Sequence, residues 1–243
     1  MNFLQICQRA AIECGVASGS AIQAVMPTVV GATGSLGRIV NWVGDNWTSI
    51  QMAHEDWDFL RSSNILGAGV SFTTIPGQAS YPLGVGPGTV GIPVDNFGKW
   101  DHEAFRNFTT AVGFRNEMFL DDISFDTWRD SYMLGAMRSV ETRPVAIAVG
   151  PDQSLNLGPP PNGQYTITGD YYMAPSKMVA DTDLPLGLPT RFHMLIVYRT
   201  MMKYAGYESA PEVYERATQE NAGMYAQLLS VRAPRMTWGG ALA

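Results

Sequence analysis

Seven residues near the N-terminus have the types and spacing that could hold a dinucleotide. The run Gly31-Ala32-Thr33-Gly34-Ser35-Leu36-Gly37 follows an apolar stretch and precedes a pattern of helical periodicity. Glycines at such a turn let a pyrophosphate approach the backbone amides at the start of a helix. The first function that these residues indicate is therefore that of a nicotinamide-dependent oxidoreductase.

The same glycines resemble the turn of the short-chain dehydrogenase and epimerase families, but the residues around them do not match. A pyrophosphate site needs a strand before the glycines and a second strand, carrying the ribose ligand, after the helix. Pro27 interrupts the preceding apolar run, and the position expected for the ribose ligand still has a helical pattern. The nearest equivalent of the families' tyrosine and lysine is Tyr198 with Lys203, one residue too far apart. We therefore interpret the glycines as the start of a helix capped by Thr33 or Ser35.

The other side chains that could do chemistry are isolated or lie where the chain turns. The histidines share no metal-ligand spacing with one another or with the cysteines. These residues are His54, His102, His193, Cys7 and Cys14. Asp121 with Asp122, and Asp181 with Asp183, adjoin predicted element ends, where aspartates cap helices and form turns. We therefore expect no catalytic residue, no metal and no cofactor.

Charged residues are scarce in this chain of 243 residues. They make up 16% of it, against about 25% in ordinary soluble domains. Since no segment approaches the ~20 apolar residues of a membrane helix, a surface so poor in charge predicts contact with other protein subunits. The net charge of −6 argues against binding of nucleic acid, although it would let DNA pass close by without sticking.

Helices are predicted at both ends of the chain. One spans 2–14, a second spans 35–61, and two more span 189–207 and 209–230. A short helix is also predicted over 124–134, with Ser124 as its cap. The second helix carries a stripe of apolar side chains that would bury one face. The stripe consists of Leu36, Ile39, Val40, Val43, Trp47, Ile50 and Trp57.

Strands are predicted between the helices. Alternation over 70–74 and 79–83 predicts a hairpin, and 144–149, 154–157 and 164–173 predict an antiparallel meander. The expected fold class is α+β, a helical bundle built from both chain ends with a central antiparallel β meander inserted.

The sequence divides into four regions. They are the N-terminal helices (1–66), a β-rich region with long loops (67–180), C-terminal helices that pack on the first ones (181–231), and a C-terminal arm (232–243).

Several short pieces of the sequence occur in an order that is shared with a known family. They are Asp56-Trp57-Asp58-Phe59-Leu60, Arg143-Pro144-Val145, the turn Gly158-Pro159-Pro160-Pro161, Tyr171-Tyr172-Met173-Ala174-Pro175, Asp181-Thr182-Asp183-Leu184-Pro185 and Ala210-Pro211-Glu212. Together they resemble the head-to-tail adaptor (connector) proteins of tailed bacteriophages. The resemblance extends over nearly the whole chain.

This resemblance implies a structural virion protein and no enzyme. Such proteins form a ring of twelve copies between the portal of the DNA-filled head and the tail, with a channel for DNA. The implied partners are other copies of the chain, the portal protein and a tail, stopper or nozzle protein, with no membrane. The implied location is the neck of the virion, with the host cytoplasm during assembly. The alternative is another virion component, such as a stopper or a tail-fibre attachment protein.

Two segments are candidate contacts with these partners. The C-terminal arm is expected to contact the portal through Arg232, Arg235, Met236 and Trp238. A glycine-rich loop is expected to contact the tail or a neighbouring subunit. It consists of Val85, Gly86, Pro87, Gly88, Thr89 and Val90.

Overall fold

The structure is a computed structural model that describes residues 1–63, 69–84 and 91–232. These residues contain six α-helices and two β-sheets, which confirms the α+β class. The helices are α1 (Phe3–Glu13), α2 (Ile22–Val25), α3 (Gly34–Met52), α4 (Phe125–Tyr132), α5 (Met194–Glu208) and α6 (Pro211–Arg232). The strands are β1 (Arg61–Ser62), β2 (Val70–Thr73), β3 (Ser80–Tyr81), β4 (Phe97–Thr109), β5 (Met118–Phe119), β6 (Asp121–Asp122), β7 (Ala146–Val149), β8 (Leu155–Gly158) and β9 (Tyr165–Met173).

The chain forms two compact units. The helical unit comprises the described residues of Met1–Leu60 and Pro175–Ala243, and the β unit comprises those of Arg61–Ala174. The helical unit is thus assembled from both ends of the chain, and the β unit is a single continuous insertion.

Helix α5 is the centre of the helical unit. From Met194 to Met202 its sequence is apolar on nearly every side, so this part requires cover all round, and α1, α3 and α6 pack against the helix. Leu195, Ile196 and Met201 are fully buried there. One polar contact crosses this core, since the Asn46 amide of α3 donates to the Thr200 hydroxyl of α5 at 3.1 Å.

Helix α3 is shorter than predicted. The expected helix over 35–61 ends at Met52, and the chain then turns before a short 3₁₀ helix at Asp58–Leu60. The turn lets Trp57 fold back, where its indole N–H donates to the Ile50 carbonyl at 2.9 Å. Ile50 is in the last turn of the helix, where its carbonyl also accepts from the Ala53 amide at 3.3 Å. The buried indole therefore adds a second donor at the helix end, and the helical prediction is wrong beyond residue 52.

The predicted helices 2–14 and 124–134 are confirmed with small changes at their ends. The side chain of Asn2 caps α1 by accepting from the Gln5 amide at 2.9 Å. The Ser124 hydroxyl caps α4 by accepting from the Thr127 amide at 3.2 Å. Both caps follow the preference of short polar side chains for helix N-termini.

The β unit contains a five-stranded sheet and a four-stranded sheet. In the first, β9 is central and pairs with β4 on one side and with β1 and β2 on the other, while β5 pairs with β4. In the second, the order is β3-β8-β7-β6, and β6 runs parallel to β7. Side chains from both sheets form one hydrophobic cluster, which includes Tyr81, Trp100, Phe105, Leu157 and Ile167.

Two strand pairings differ from those predicted. The predicted hairpin over 70–83 is wrong, because β2 pairs with β9 whereas β3 pairs with β8. The predicted meander is also wrong in its third strand, because β9 belongs to the five-stranded sheet whereas β7 and β8 pair in the four-stranded sheet. Alternation indicates which side chains face the core, but it does not specify which strand supplies the backbone partner.

Candidate interaction surfaces

The glycine-rich segment at residues 31–37 is the start of a helix and not the turn after a strand. Residues 26–33 form bends and turns, and α3 begins at Gly34. A Cβ at Gly37 would lie 2.6 Å from the Ala32 carbonyl oxygen. This position therefore requires glycine, because the backbone before the helix passes close to the first turn of α3. Thr33 occupies the N-cap position, but its side chain makes no capping hydrogen bond. The predicted helix start is confirmed, and the predicted cap by Thr33 or Ser35 is wrong, since Ser35 lies inside α3.

Asp181 and Asp183 link the turn at 179–183 to the chain just before this segment and to the start of α1. The Asp181 carboxylate accepts from the Val29 amide at 2.7 Å. The Asp183 carboxylate accepts from the amides of Val179 and Ala180, which hold the pKa of this carboxyl below its usual range. The Asp183 carbonyl also accepts from the Phe3 amide at 2.7 Å. Both aspartates therefore act as acceptors for backbone amides.

The remaining titratable candidates are dispersed. His102, on β4, lies 3.1 Å from the Asp122 carboxylate at the surface. His193 is buried, and its burial lowers its pKa; its Nε2 contacts the Leu188 carbonyl at 3.1 Å. Burial likewise raises the pKa of Cys14 to about 12. Across residues 1–63, 69–84 and 91–232, no three histidine, cysteine, aspartate or glutamate side chains converge as metal ligands do.

An exposed apolar surface covers the end of the β4–β5 hairpin. We call this the hairpin surface; its residues are Val112, Phe114, Met118 and Phe119. Phe114 is 72% exposed while its ring lies 4.7 Å from that of Phe108. Phe119 is 63% exposed and is covered on one side by the Arg106 guanidinium, 4.5 Å from its ring centre. Large apolar side chains exposed in this way, aromatic ones above all, are typical of surfaces that protein partners cover.

A polar depression of about 450 Å³ adjoins the hairpin surface. Arg61 lies in it but is paired with the carboxylates of Asp101 and Asp170, at 2.7 and 2.9 Å. Arg106 lies 3.6 Å from Glu117. The cations of this depression thus have their counter-charges within the β unit.

A second depression, of about 690 Å³, lies in the helical unit, and we call it the Arg199 depression. It is lined by Asp45, Thr48, Ser49, Met52, Ala53, Pro175, Lys177 and Arg199. Lys177 is paired with Asp45 at 2.8 Å. The Arg199 guanidinium lies 5.0 Å from the centre of the Tyr225 ring, and in the described part of the chain it makes no ion pair with a carboxylate. Burial lowers its pKa.

Helix α6 buries only a narrow face. Among its 22 residues, Ala217 and Leu228 are fully buried. The opposite face is exposed and consists of Glu212, Glu215, Gln219, Ala222, Gly223, Ala226, Gln227 and Ser230. A helix with so little of its surface covered is suited to receive another helix or chain on its outer face.

The structure describes only one of the predicted contact residues. Arg232 is the last residue of α6, and its guanidinium pairs with the Asp58 carboxylate at 2.8 Å, so it is fixed within the helical unit. The other predicted arm residues, Arg235, Met236 and Trp238, lie outside the described residues. So does the predicted loop of Val85, Gly86, Pro87, Gly88, Thr89 and Val90.

Two surfaces were missed by the sequence analysis, although each leaves a signal in the sequence. Phe114, Met118 and Phe119 lie between residues 83 and 124, where no helix or strand is predicted and where loop residues are usually polar. Arg199 is the single charge in the otherwise apolar run from Met194 to Met202. An isolated cation on a helix that must be buried points to a counter-charge supplied from elsewhere.

Comparison with known proteins gives one full-length result. A family model described as SU10 adaptor protein matches residues 1–243. Comparison with curated proteins gives no significant match. Within the described ranges, every helix is too short or too polar to cross a membrane.

Proposed function

The chain belongs to the SU10 adaptor protein family, which is a family of phage head-to-tail adaptors, and we propose that it forms a ring between the portal and the tail. The family match confirms the resemblance drawn from the sequence. As a phage adaptor the protein is a virion component. We place it in the neck, at the head–tail interface, after assembly in the host cytoplasm.

The observation that carries this proposal is that the family model extends over all 243 residues. The match therefore includes both units of the chain. The hairpin surface and the outer face of α6 support the same proposal, since each offers exposed area that a subunit or partner protein would cover.

The proposed partners follow from the position in the neck. The protein binds further copies of itself in a closed ring, with twelve as the expected number, and it contacts the portal and a tail, stopper or nozzle protein. We assign the portal contact to the C-terminal arm with Arg232, Arg235, Met236 and Trp238. Residues 85–90 contact the tail side or a neighbouring subunit. DNA passes through the ring, and the net charge of −6 limits its adhesion.

The proposal is tested by adding the purified chain to its cognate portal and viewing the mixture by negative-stain electron microscopy. We expect an additional ring-shaped layer on one face of the portal, and we expect the protein in purified virions at a constant ratio to the portal. If no layer forms and the protein is missing from virions, the proposal is wrong. Presence at another position of the virion, such as a tail fibre, would favour the alternative of a different virion component.

A further inference from the structure

We propose that the Arg199 depression of one copy receives the N-terminal end of α6, with Glu212 and Glu215, from the next copy in the ring. This inference rests on the proposed function, because it specifies which two surfaces meet when the ring forms. The observation that carries it is an incompletely compensated cation on one surface and unpaired carboxylates on another.

Arg199 has no ion-pair partner among the described residues of its helical unit. Its guanidinium is partly buried against the Tyr225 ring and hydrogen-bonds the Tyr225 side chain, which is neutral and leaves the positive charge uncompensated. Removing a cation from water is unfavourable unless an anion or several hydrogen bonds replace the lost hydration. Lys177 cannot offset this charge, and Asp45 is already paired with Lys177. The depression therefore has an excess of positive charge at a site partly shielded from solvent.

The depression also presents apolar surface beside this charge. Met52 lines it and is 68% exposed, and Ala53 and Pro175 lie next to Met52. Exposed apolar area beside an incompletely paired cation suits a protein ligand better than a small anion, because the protein can cover both. A carboxylate-bearing helix is such a ligand.

Glu212 and Glu215 are the carboxylates that fit. Both are exposed on the outer face of α6, and neither is joined by an ion pair to another described residue. Several other acidic residues of the helical unit are already engaged in ion pairs. Glu13 pairs with Arg9 and Arg216, and Asp58 pairs with Arg232.

The two surfaces differ from each other, as a ring requires. A contact between two copies of one patch gives a closed dimer, whereas a contact between two different patches repeats from copy to copy and can close into a ring. The depression lies beside α3 and α5, and the carboxylates lie on the outward face of α6. Pairing them gives every copy one donor surface and one acceptor surface.

Charge-removing substitutions test whether the contact contributes to the free energy of ring assembly. We expect Arg199→Met, and separately Glu212→Gln with Glu215→Gln, to raise the protein concentration needed for ring assembly on the portal by at least about tenfold. Arg138→Met is the matched control, because Arg138 is an exposed arginine of the β unit. Circular dichroism and the melting temperature of each free variant establish that it is folded.

Cross-linking tests whether the two surfaces lie next to each other in the assembled ring, and its result does not depend on the charges. Met52→Cys combined with Glu215→Cys places one thiol on each surface of the same chain. The native thiols Cys7 and Cys14 are buried, and burial raises the pKa of each, so they react slowly. With a short bifunctional thiol reagent under assembly conditions, the double variant is expected to give a ladder of covalent oligomers. Each single variant is the control and should give none.

The outcomes separate this inference from the proposed function. A ladder from the double variant alone, together with weakened assembly of the charge variants, supports the contact. If the wild-type ring assembles on the portal while the charge variants assemble equally well and the double variant gives no ladder, only this inference is wrong. If the wild-type chain forms no ring with the portal, both proposals are wrong.

Discussion

At the scale of single residues, side chains that could do chemistry act as structural hydrogen-bond acceptors. Asp181 and Asp183 have the spacing of a metal or acid–base pair, yet their carboxylates accept the Val29 amide, just before the glycine-rich segment, and two amides of their own turn. The sequence analysis could predict the turn role, because aspartate favours turns. It could not predict that Val29, 152 positions away, supplies an amide, since that distance depends on the folded chain.

Removal of the Asp183 carboxylate is predicted to change the pH dependence of stability. Its pKa in the folded protein lies below the ordinary value of 3.8, because two amides donate to the ionised form. The unfolded chain therefore binds the proton more readily, and the stabilisation is present above about pH 3.8 and is lost as pH falls through the lower folded pKa. We expect Asp183→Ala to have a lower urea midpoint than the wild type at pH 7. At pH 3 the difference between the two midpoints should be smaller.

The control for this prediction is Thr182→Ala, which changes the exposed neighbouring residue and leaves both amide contacts in place. The urea midpoint of this variant should depend on pH in the same way as that of the wild-type protein. Parallel pH curves for Asp183→Ala and wild type would show that the carboxylate has no such role.

At the scale of elements, the sequence predicts where helices and strands form better than it predicts their partners. Polar caps and apolar spacing place α1 and α4 within one or two residues of their observed ends. The end of α3 is not predictable from spacing, because Trp57 continues the apolar pattern after the chain has turned. The partners of β2 and β3 are not predictable either, since both alternate in the same way and join different sheets.

An alanine substitution at Gly37 tests the close packing at the start of α3, and one at a second helical glycine serves as its control. Gly37→Ala is predicted to destabilise the protein by about 1–3 kcal/mol, because the new Cβ would lie 2.6 Å from the Ala32 carbonyl oxygen. Gly206→Ala is the matched control in α5, where nothing lies within 4 Å of the added Cβ. It should stabilise the protein by up to about 1 kcal/mol, since alanine favours helix. Urea unfolding measures both, and equal stability of the two variants would contradict the packing described at Gly37.

At the scale of the whole molecule, composition indicates an assembly before any contact is known. The low charged content and the exposed hairpin surface are both typical of a chain that is covered by partners. The order of short motifs resembles the adaptor family, and the full-length family match bears this out. The positions of the contacts could not be predicted in the same way, because they depend on which side chains the folded chain leaves exposed.

Deletion of residues 233–243 is predicted to separate folding from portal binding. The truncated chain keeps Arg232 and its ion pair with Asp58, so the urea midpoint should be unchanged. Portal affinity should fall by on the order of tenfold or more, because loss of an anchoring tryptophan is costly at protein interfaces. Trp238→Ala in the full chain should give most of the same loss, and binding titrations measure both. A truncated chain that binds the portal with full affinity would show that the arm is not the contact.

We propose that this chain is a ring-forming adaptor that binds the portal. The most direct test is the mass of the complex, measured by mass photometry on portal rings mixed with increasing amounts of the purified chain. We predict that the portal mass rises cooperatively to a single plateau, with an increase near twelve times the 26.5 kDa of the chain. A portal mass that stays unchanged at saturating concentrations would contradict the account.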